Sequence, residues 1–327
     1  MFQYIVRRLI WAVIMTLLVI STVFVIFFVL PGGSGRNIEG AGKCSSPIAI
    51  MMAGRNPRPA LVCNIVKRLG LDKPVYVQYG RYVGNLLQGD MGYSYHSSEP
   101  VRDAIFRRLP ATASLAIGAS FIWLVFGVAI GIVSALRRRS FMDRASMFFA
   151  LVGVSLPTFF LGLVLVFLFD GRLNIYNVAS YQPITSDPVA WLKSMWLPWI
   201  VLAYVSMAVY ARMVRGNLLE VMGEDYIRTA RAKGLREKSV TRHALRSALT
   251  PVVTMYGLDL GILLGGAVIT ESIFNIPGIG SLAVDAISNQ DLPTILGTTL
   301  FAGVFVIIAN LVVDIAYASL DPRVRYS

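Results

Sequence analysis

The chain has 327 residues, 56% of them hydrophobic and only 15% charged, and it carries a net charge of +12 at pH 7. One water-soluble core of ordinary size cannot hide that share of apolar side chains, so lipid is expected to be the main solvent. The excess of Lys and Arg reads as a membrane-topology signal and argues against nucleic-acid binding.

In chain order, Leu9 to Leu30 are 22 consecutive positions without a charge. At about 1.5 Å per residue they reach the roughly 30 Å of a bilayer core. Arg7 and Arg8 precede this run, but it is too long for a signal-peptide core and no A-x-A site follows before Pro31. A retained anchor is the expectation. Five further apolar runs follow, at Ala111 to Leu136, Ala145 to Phe169, Trp196 to Ala211, Val252 to Ile273 and Ile295 to Leu320. Six transmembrane helices are therefore expected. The fourth is diluted by Pro198 and by Tyr204 to Tyr210.

Short loops that keep Lys and Arg lie on the cytoplasmic side. Arg7 and Arg8 precede span one, Arg137, Arg138, Arg139 and Arg144 separate spans two and three, and Arg323 and Arg325 follow span six. Nine more basic residues lie between Arg212 and Arg246, whereas Glu271 to Thr294 holds none. Both termini are expected in the cytoplasm. The chain then divides into an N-terminal end with span one (residues 1–30), an outer loop (31–110) and a core of five spans (111–327) that carries a cytoplasmic segment at 212–250. The outer loop is too long for the charge rule to count. It holds both cysteines, Cys44 and Cys63. In an exported loop a disulfide persists, and these two are expected to pair.

Several chemistries are excluded. No G-x-x-x-x-G-K-[ST] loop occurs, so nucleotide is not held in the usual phosphate cradle. The two histidines, His96 and His243, fall in different compartments, and no Cys/His cluster has metal-ligand spacing. Ser94, Ser97 and Ser98 near His96 lack a nucleophile elbow, which leaves a hydrolase with little support.

The polar stretch from Arg212 to Thr250 is too short for a domain and reads as a helical docking element. Within it, Asp225 is a candidate N-cap, Tyr226 to Lys233 are mostly helix formers, and Gly234 suits the left-handed C-terminal position. At 100° per residue Tyr226, Ile227, Ala230 and Gly234 share one face, with Arg228 and Ala232 opposite. So short a helix needs something to pack on, so tertiary or partner contacts are expected to hold it, with an amphipathic surface helix on anionic lipid as the other reading.

Span five carries Gly257, Gly261 and Gly265 on one face, with Gly266 beside them. Gly127 and Gly131 make a similar surface in span two, and small residues of this kind let helix backbones approach closely. Asp259 and Asp314 are charges at membrane depth, so they are expected to face protein or water. Glu271, Phe274, Pro277, Gly278 and Gly280 lie at or beyond the outer end of span five. Asn275 to Gly280 is either a lid over the outer mouth or a plain connector.

The run Tyr226-Ile227-Arg228-Thr229-Ala230-Arg231-Ala232-Lys233-Gly234-Leu235, followed by His243-Ala244-Leu245-Arg246 and Pro251, resembles a known cytoplasmic coupling motif. It belongs to the inner-membrane permeases of binding-protein-dependent ABC importers, in the peptide and nickel branch and its B-type subunits. The generic motif begins Glu-Ala-Ala. Here Arg228 and Thr229 replace the first two residues and Pro251 comes about a turn later, as in the peptide branch. Leu69 to Pro74, Gly89 to Gly92, Arg108 to Thr112, Glu271 to Gly280 and Asp321 to Arg323 agree with the same branch, in order along nearly the whole chain. The stretch from Cys44 to Cys63 has no such counterpart.

The resemblance implies an all-α integral membrane protein with six spans, the type I ABC importer permease fold, and a coupling helix between spans four and five. Its coupling residues would be Glu224, Asp225, Tyr226, Ile227, Arg228, Thr229, Ala230, Arg231, Ala232, Lys233, Gly234 and Leu235, with Tyr226, Ile227 and Ala230 as contacts to an ATPase. The implied partners are a second permease, one or two cytoplasmic ATPases, an extracytoplasmic binding protein and membrane lipid. ATP and Mg would be used by the ATPases, with no cofactor on this chain, which would be a non-catalytic subunit in a bacterial or archaeal inner membrane. Short peptides are the implied cargo, with nickel complexes or oligosaccharides as alternatives. A self-contained secondary transporter would show inverted halves and its own coupling site, which the sequence lacks.

Overall fold

The structure, a computed structural model, describes residues 2–30, 46–54, 58–178, 181–264 and 267–320. Among these residues it is helical apart from one two-stranded antiparallel sheet, β1 (Tyr93–Ser94) paired with β2 (Glu99–Pro100). The helices are α1 (Phe2–Phe24), α2 (Pro47–Ala53), α3 (Pro59–Leu69), α4 (Val75–Leu87), α5 (Val101–Leu136), α6 (Phe141–Ser155) and α7 (Thr158–Val166). They continue with α8 (Pro188–Val221), α9 (Asp225–Ala232), α10 (Glu237–Ala248), α11 (Thr250–Leu264), α12 (Val268–Ile273), α13 (Ile279–Ser288) and α14 (Leu292–Leu320).

Among the described residues, four helices are able by length and composition to cross a bilayer: Ile5–Val29, Val101–Leu136, Pro188–Val221 and Leu292–Val312. The third expected span is a bent pair, Phe141–Ser155 and Thr158–Arg172, which turn through 98° and make a fifth if they act as one. Pro157 causes the break. Leu156 before it is extended at φ −89 and ψ 124, the conformation that a following proline imposes. The fifth expected run is divided between α11 and α12. It holds only an apolar helix of the shorter class, Thr250–Leu263, so the expected count of six exceeds what helix length supports. Gly265 and Gly266 lie outside the described residues.

The fourth span is longer than its apolar run at both ends. Asp187 caps α8, with Oδ1 accepting from the N–H groups of Val189 at 2.9 Å and Ala190 at 3.1 Å. Pro188 occupies the first turn, where its missing N–H costs nothing.

The chain forms two compact units. Unit 1 comprises Met1–Thr112, Leu264–Val268 and Pro277–Leu311, and unit 2 comprises Ala113–Leu263, Ile269–Ile276 and Val312–Ser327. In unit 1 the expected outer loop is largely helical, because α2, α3 and α4 fold against α1 and the start of α14. Ile20, Phe24 and Phe28 bury against Ile48, Met52, Ile65, Val66, Leu296 and Leu300. The rings of Phe24 and Phe28 stack at 5.0 Å, and Tyr79 meets Phe24 edge-on at 5.2 Å. Among the described residues the Tyr82 hydroxyl, buried beside them, meets no hydrogen-bond partner, and burial pushes its pKa up, so it stays protonated. Cys63 lies on α3 and is not a free thiol, whereas Cys44 lies outside the described residues.

In unit 2 the close approach expected of Gly127 and Gly131 is present. A Cβ at Gly131 would stand 2.7 Å from the Ala211 carbonyl oxygen, and one at Gly127 would stand 2.9 Å from Tyr210 Cβ. Both positions must therefore be glycine for α5 to lie this close to α8. Gly131→Leu should lower the stability of the purified protein by about 1–3 kcal/mol, the usual range for overpacking. Gly216→Leu, at an α8 position with open space around it, should leave the detergent melting midpoint nearly unchanged. Equal midpoints for the two variants would refute the packing argument.

Candidate functional site

The candidate site is the helix pair α9 and α10, which follows α8 in unit 2. Helix α9 starts one residue earlier in register than the sequence suggests, since Glu224 is the extended N-cap and Asp225 the first helical residue. The carboxylate of Asp225 still lies at the end that favours negative charge. Helix α9 ends as expected. Gly234 is left-handed at φ +76, its N–H donates to the Arg231 carbonyl at 2.9 Å, and the Leu235 N–H donates to the Ala230 carbonyl at 3.3 Å.

The packing separates the three residues expected to contact a partner. Ile227 is fully buried in this chain's own core, with Leu218 of α8, Val240, Ala244 and Ala248 of α10 and Ala135 of α5, and Ala230 packs at its edge. Tyr226 is about half exposed at 48% and its hydroxyl lies 3.2 Å from Ser247 Oγ. Of the three expected contacts, Ile227 thus packs inside the chain, Ala230 is half-buried and Tyr226 stays half exposed. A short amphipathic helix satisfies its apolar side locally before any partner arrives. Glu224, Asp225, Tyr226, Arg228, Thr229, Arg231, Ala232, Lys233, Gly234 and Leu235 are the exposed residues. Arg231 bridges to Glu237 at 3.0 Å and Arg228 to Asp225 at 3.3 Å, exposed pairs that add little stability.

Sequence reasoning missed the anchor beneath this pair. Asp143 of α6 is 4% exposed and accepts from Arg215 of α8 in a two-pronged contact, Nε to Oδ1 at 2.7 Å and a terminal guanidinium nitrogen to Oδ2 at 3.0 Å. Ser134 of α5 also donates to Oδ1. Arg139, left-handed at φ 66, turns its N–H to Oδ2 at 2.9 Å. One carboxylate therefore ties α5, α6 and α8 together. Its local signal was visible in Ser140-Phe141-Met142-Asp143, a capping pattern, and Ser140 Oγ does accept from the Asp143 N–H at 3.2 Å. The pairing with Arg215, 72 residues away, has no local signal.

The candidate translocation and gate residues divide between the units, with Asp259, Glu271, Phe274 and Asp314 in unit 2 and Pro277, Gly278 and Gly280 in unit 1. Asp259 accepts from the Tyr210 hydroxyl at 2.7 Å, so it faces protein. Asp314 is partly buried, and Glu271 is buried completely. Phe274 is also buried, edge-on to Tyr176 at 5.9 Å. Gly278 caps α13 and its N–H donates to Ser281 Oγ at 3.0 Å. Gly280 is buried within α13, and Pro277 is exposed. The described residues contain no group of three His, Cys, Asp or Glu side chains placed to hold a metal.

Residues 127–326 match the family described as binding-protein-dependent transport system inner membrane component, and residues 1–116 match its N-terminal counterpart. The chain belongs to this family. The family match spans the whole of α9 and α10, and the N-terminal match spans the helices of the outer segment. A putative peptide transport system permease of Brucella abortus is 42% identical over 323 residues, covering 98% of each chain. The glutathione transport system permease GsiC of Pectobacterium atrosepticum is 39% identical over 328 residues, covering 100% of both chains. The dipeptide transport system permease DppB of Escherichia coli is 36% identical over 351 residues, covering 100% of this chain and 99% of its own.

Arg215→Ala leaves the Asp143 carboxylate buried and unpaired, and should cost about 3 kcal/mol of stability. Adding Asp143→Asn to that variant removes the stranded charge and should recover part of the loss. Melting in detergent checks the order: a double variant no more stable than Arg215→Ala alone would remove the pair from its anchoring role.

Proposed function

We propose that the chain is the non-catalytic, pore-forming permease subunit of an ATP-driven importer of short peptides. Family membership and the printed names of its relatives support this reading. The observation that carries it further is α9, a helix welded to its own chain on one side and bare on the other. Separate ATPase subunits, which use ATP and Mg, grip the exposed side at Thr229, Ala232, Lys233 and Leu235. A second permease completes the pore, and an extracytoplasmic binding protein delivers the cargo.

The mechanism follows from stiffness. When nucleotide closes the ATPase pair, the cleft holding α9 moves, and the buried Ile227 cluster hands that displacement to α8. Arg215 on α8 passes it through Asp143 to α6 and α5. In this reading α11 and α12 supply the sixth crossing, both termini are cytoplasmic, and the membrane is the inner membrane of a bacterium or archaeon. The asymmetry of Arg and Lys between loops supports that orientation. Asp259, Glu271 and Asp314 line or brace the pathway, and Phe274 with Pro277, Gly278 and Gly280 form its outer closure. Cys44 and Cys63 form a disulfide in the outer segment.

Extraction in mild detergent should recover the chain with a second permease and one or two ATPases. Ala232→Glu, on the exposed face, should lose the ATPases and peptide uptake while keeping the second permease. A lone homomer that transports would overturn the assignment, and normal uptake by Ala232→Glu would overturn the docking face. For the disulfide, a membrane-impermeant maleimide should label intact cells only after reduction; full labelling without reductant would show two unlinked thiols.

A further inference from the structure

Unit 1 holds a polar cavity of about 230 Å³ lined by Met52, Ala53, Gly54, Tyr95, His96, Asn289, Gln290 and Asp291. Its charge is set by Asp291, which is only 7% exposed. The Oδ2 of Asp291 accepts from Ser94 Oγ and Thr294 Oγ1, both at 2.6 Å. Among the described residues no donor reaches Oδ1. Oδ1 therefore keeps accepting capacity that a donor placed in the cavity can use.

The lining decides which donor. Among the described residues no Lys or Arg lines the cavity, so the described lining offers an anion no cationic partner. Among the described lining residues only His96 and Asp291 are metal-ligating types, two where a bound metal needs three or more, so the described lining disfavours a metal ion. The remaining polar groups, the amides of Asn289 and Gln290 and the Tyr95 phenol, are neutral hydrogen-bonding groups. The volume greatly exceeds that of a single water and suits one amino-acid residue. We propose that this cavity is an entry subsite in which Asp291 Oδ1 receives the α-ammonium group of the incoming peptide. The inference rests on the peptide-import reading and adds to it the end of the peptide that the permease reads. Ser94 and Thr294 are positioning residues that fix the carboxylate from β1 and from the start of α14.

The test uses the complete transport complex in nanodiscs, first without its binding protein, and compares trialanine with N-acetyl-trialanine. Wild type should bind trialanine about tenfold more tightly, the order expected for one charge-assisted hydrogen bond. Asp291→Asn should bind both peptides alike, at the acetylated level. Thr294→Val keeps the charge but loosens the carboxylate, and should reduce the preference without abolishing it. Unchanged preference in Asp291→Asn would overturn the subsite, as would loss of binding for both peptides alike, which marks a structural role. A variant that weakens only the docking of the binding protein would instead place a lysine of that protein in the cavity, and would also overturn it. Uptake of trialanine with the binding protein present tests the underlying reading separately. If wild type imports the peptide while Asp291→Asn keeps the preference, the subsite alone fails; if wild type imports none, the import reading fails.

Discussion

A carboxylate taken out of water has to be paired on every side, and Asp143 meets that demand by drawing donors from α5, from the turn after it and from α8. Because the pair is two-pronged it fixes orientation as well as distance. Replacing such a pair with apolar side chains is often neutral for stability. Its value here lies in specifying how three membrane helices meet, where apolar packing against lipid discriminates poorly between arrangements. Glycines at 127 and 131 act on the same helices, letting α5 reach the α8 backbone. The charge pair sets the register and the glycines set the separation.

Above that anchor, α9 illustrates how a helix of 8 residues stays folded. Alone it would be marginal, since nucleating a helix costs more than two turns of hydrogen bonds return. Burial of Ile227 in a cluster built from α5, α8 and α10 supplies the missing stability, about 2 kcal/mol for a fully buried side chain of this size. The left-handed Gly234 then stops the helix and sends the chain into α10. Removing Ile227 from the surface leaves an exposed side that mixes Arg228, Thr229, Arg231 and Lys233 with Tyr226, Ala232 and Leu235, which suits an intermittent protein contact better than insertion into lipid.

Much of this was legible in the sequence, and the failures have physical causes. Runs of uncharged residues located the long helices, because lipid admits only backbones that satisfy their own hydrogen bonds. Periodicity grouped Tyr226, Ile227 and Ala230 on one side of α9. It could not say which side is the inside, since an eight-residue pattern looks the same from a partner's cleft and from the chain's own core. The bend at Pro157 had a local signal, but a long apolar run on both sides masked it. Helices α2 to α4 were read as loop because they are short and separated by Gly and Pro. Their stability comes from the aromatic cluster around Phe24, Phe28 and Tyr79, which no local window contains.

Long-range pairing was the part least available to a linear reading. Asp143 and Arg215, Tyr210 and Asp259, and Ser94 and Asp291 each bring together residues far apart in the chain. All three use an aspartate, but they differ in what remains open. Arg215, Ser134 and the Arg139 N–H between them bring two donors to each oxygen of Asp143, leaving it no capacity for a ligand. At Asp291 both hydroxyls converge on one oxygen and a cavity opens beside the carboxylate. The same residue type therefore serves as a brace where its partners saturate it and as a receptor where they do not, and the distinction rests on counting acceptor sites against donors.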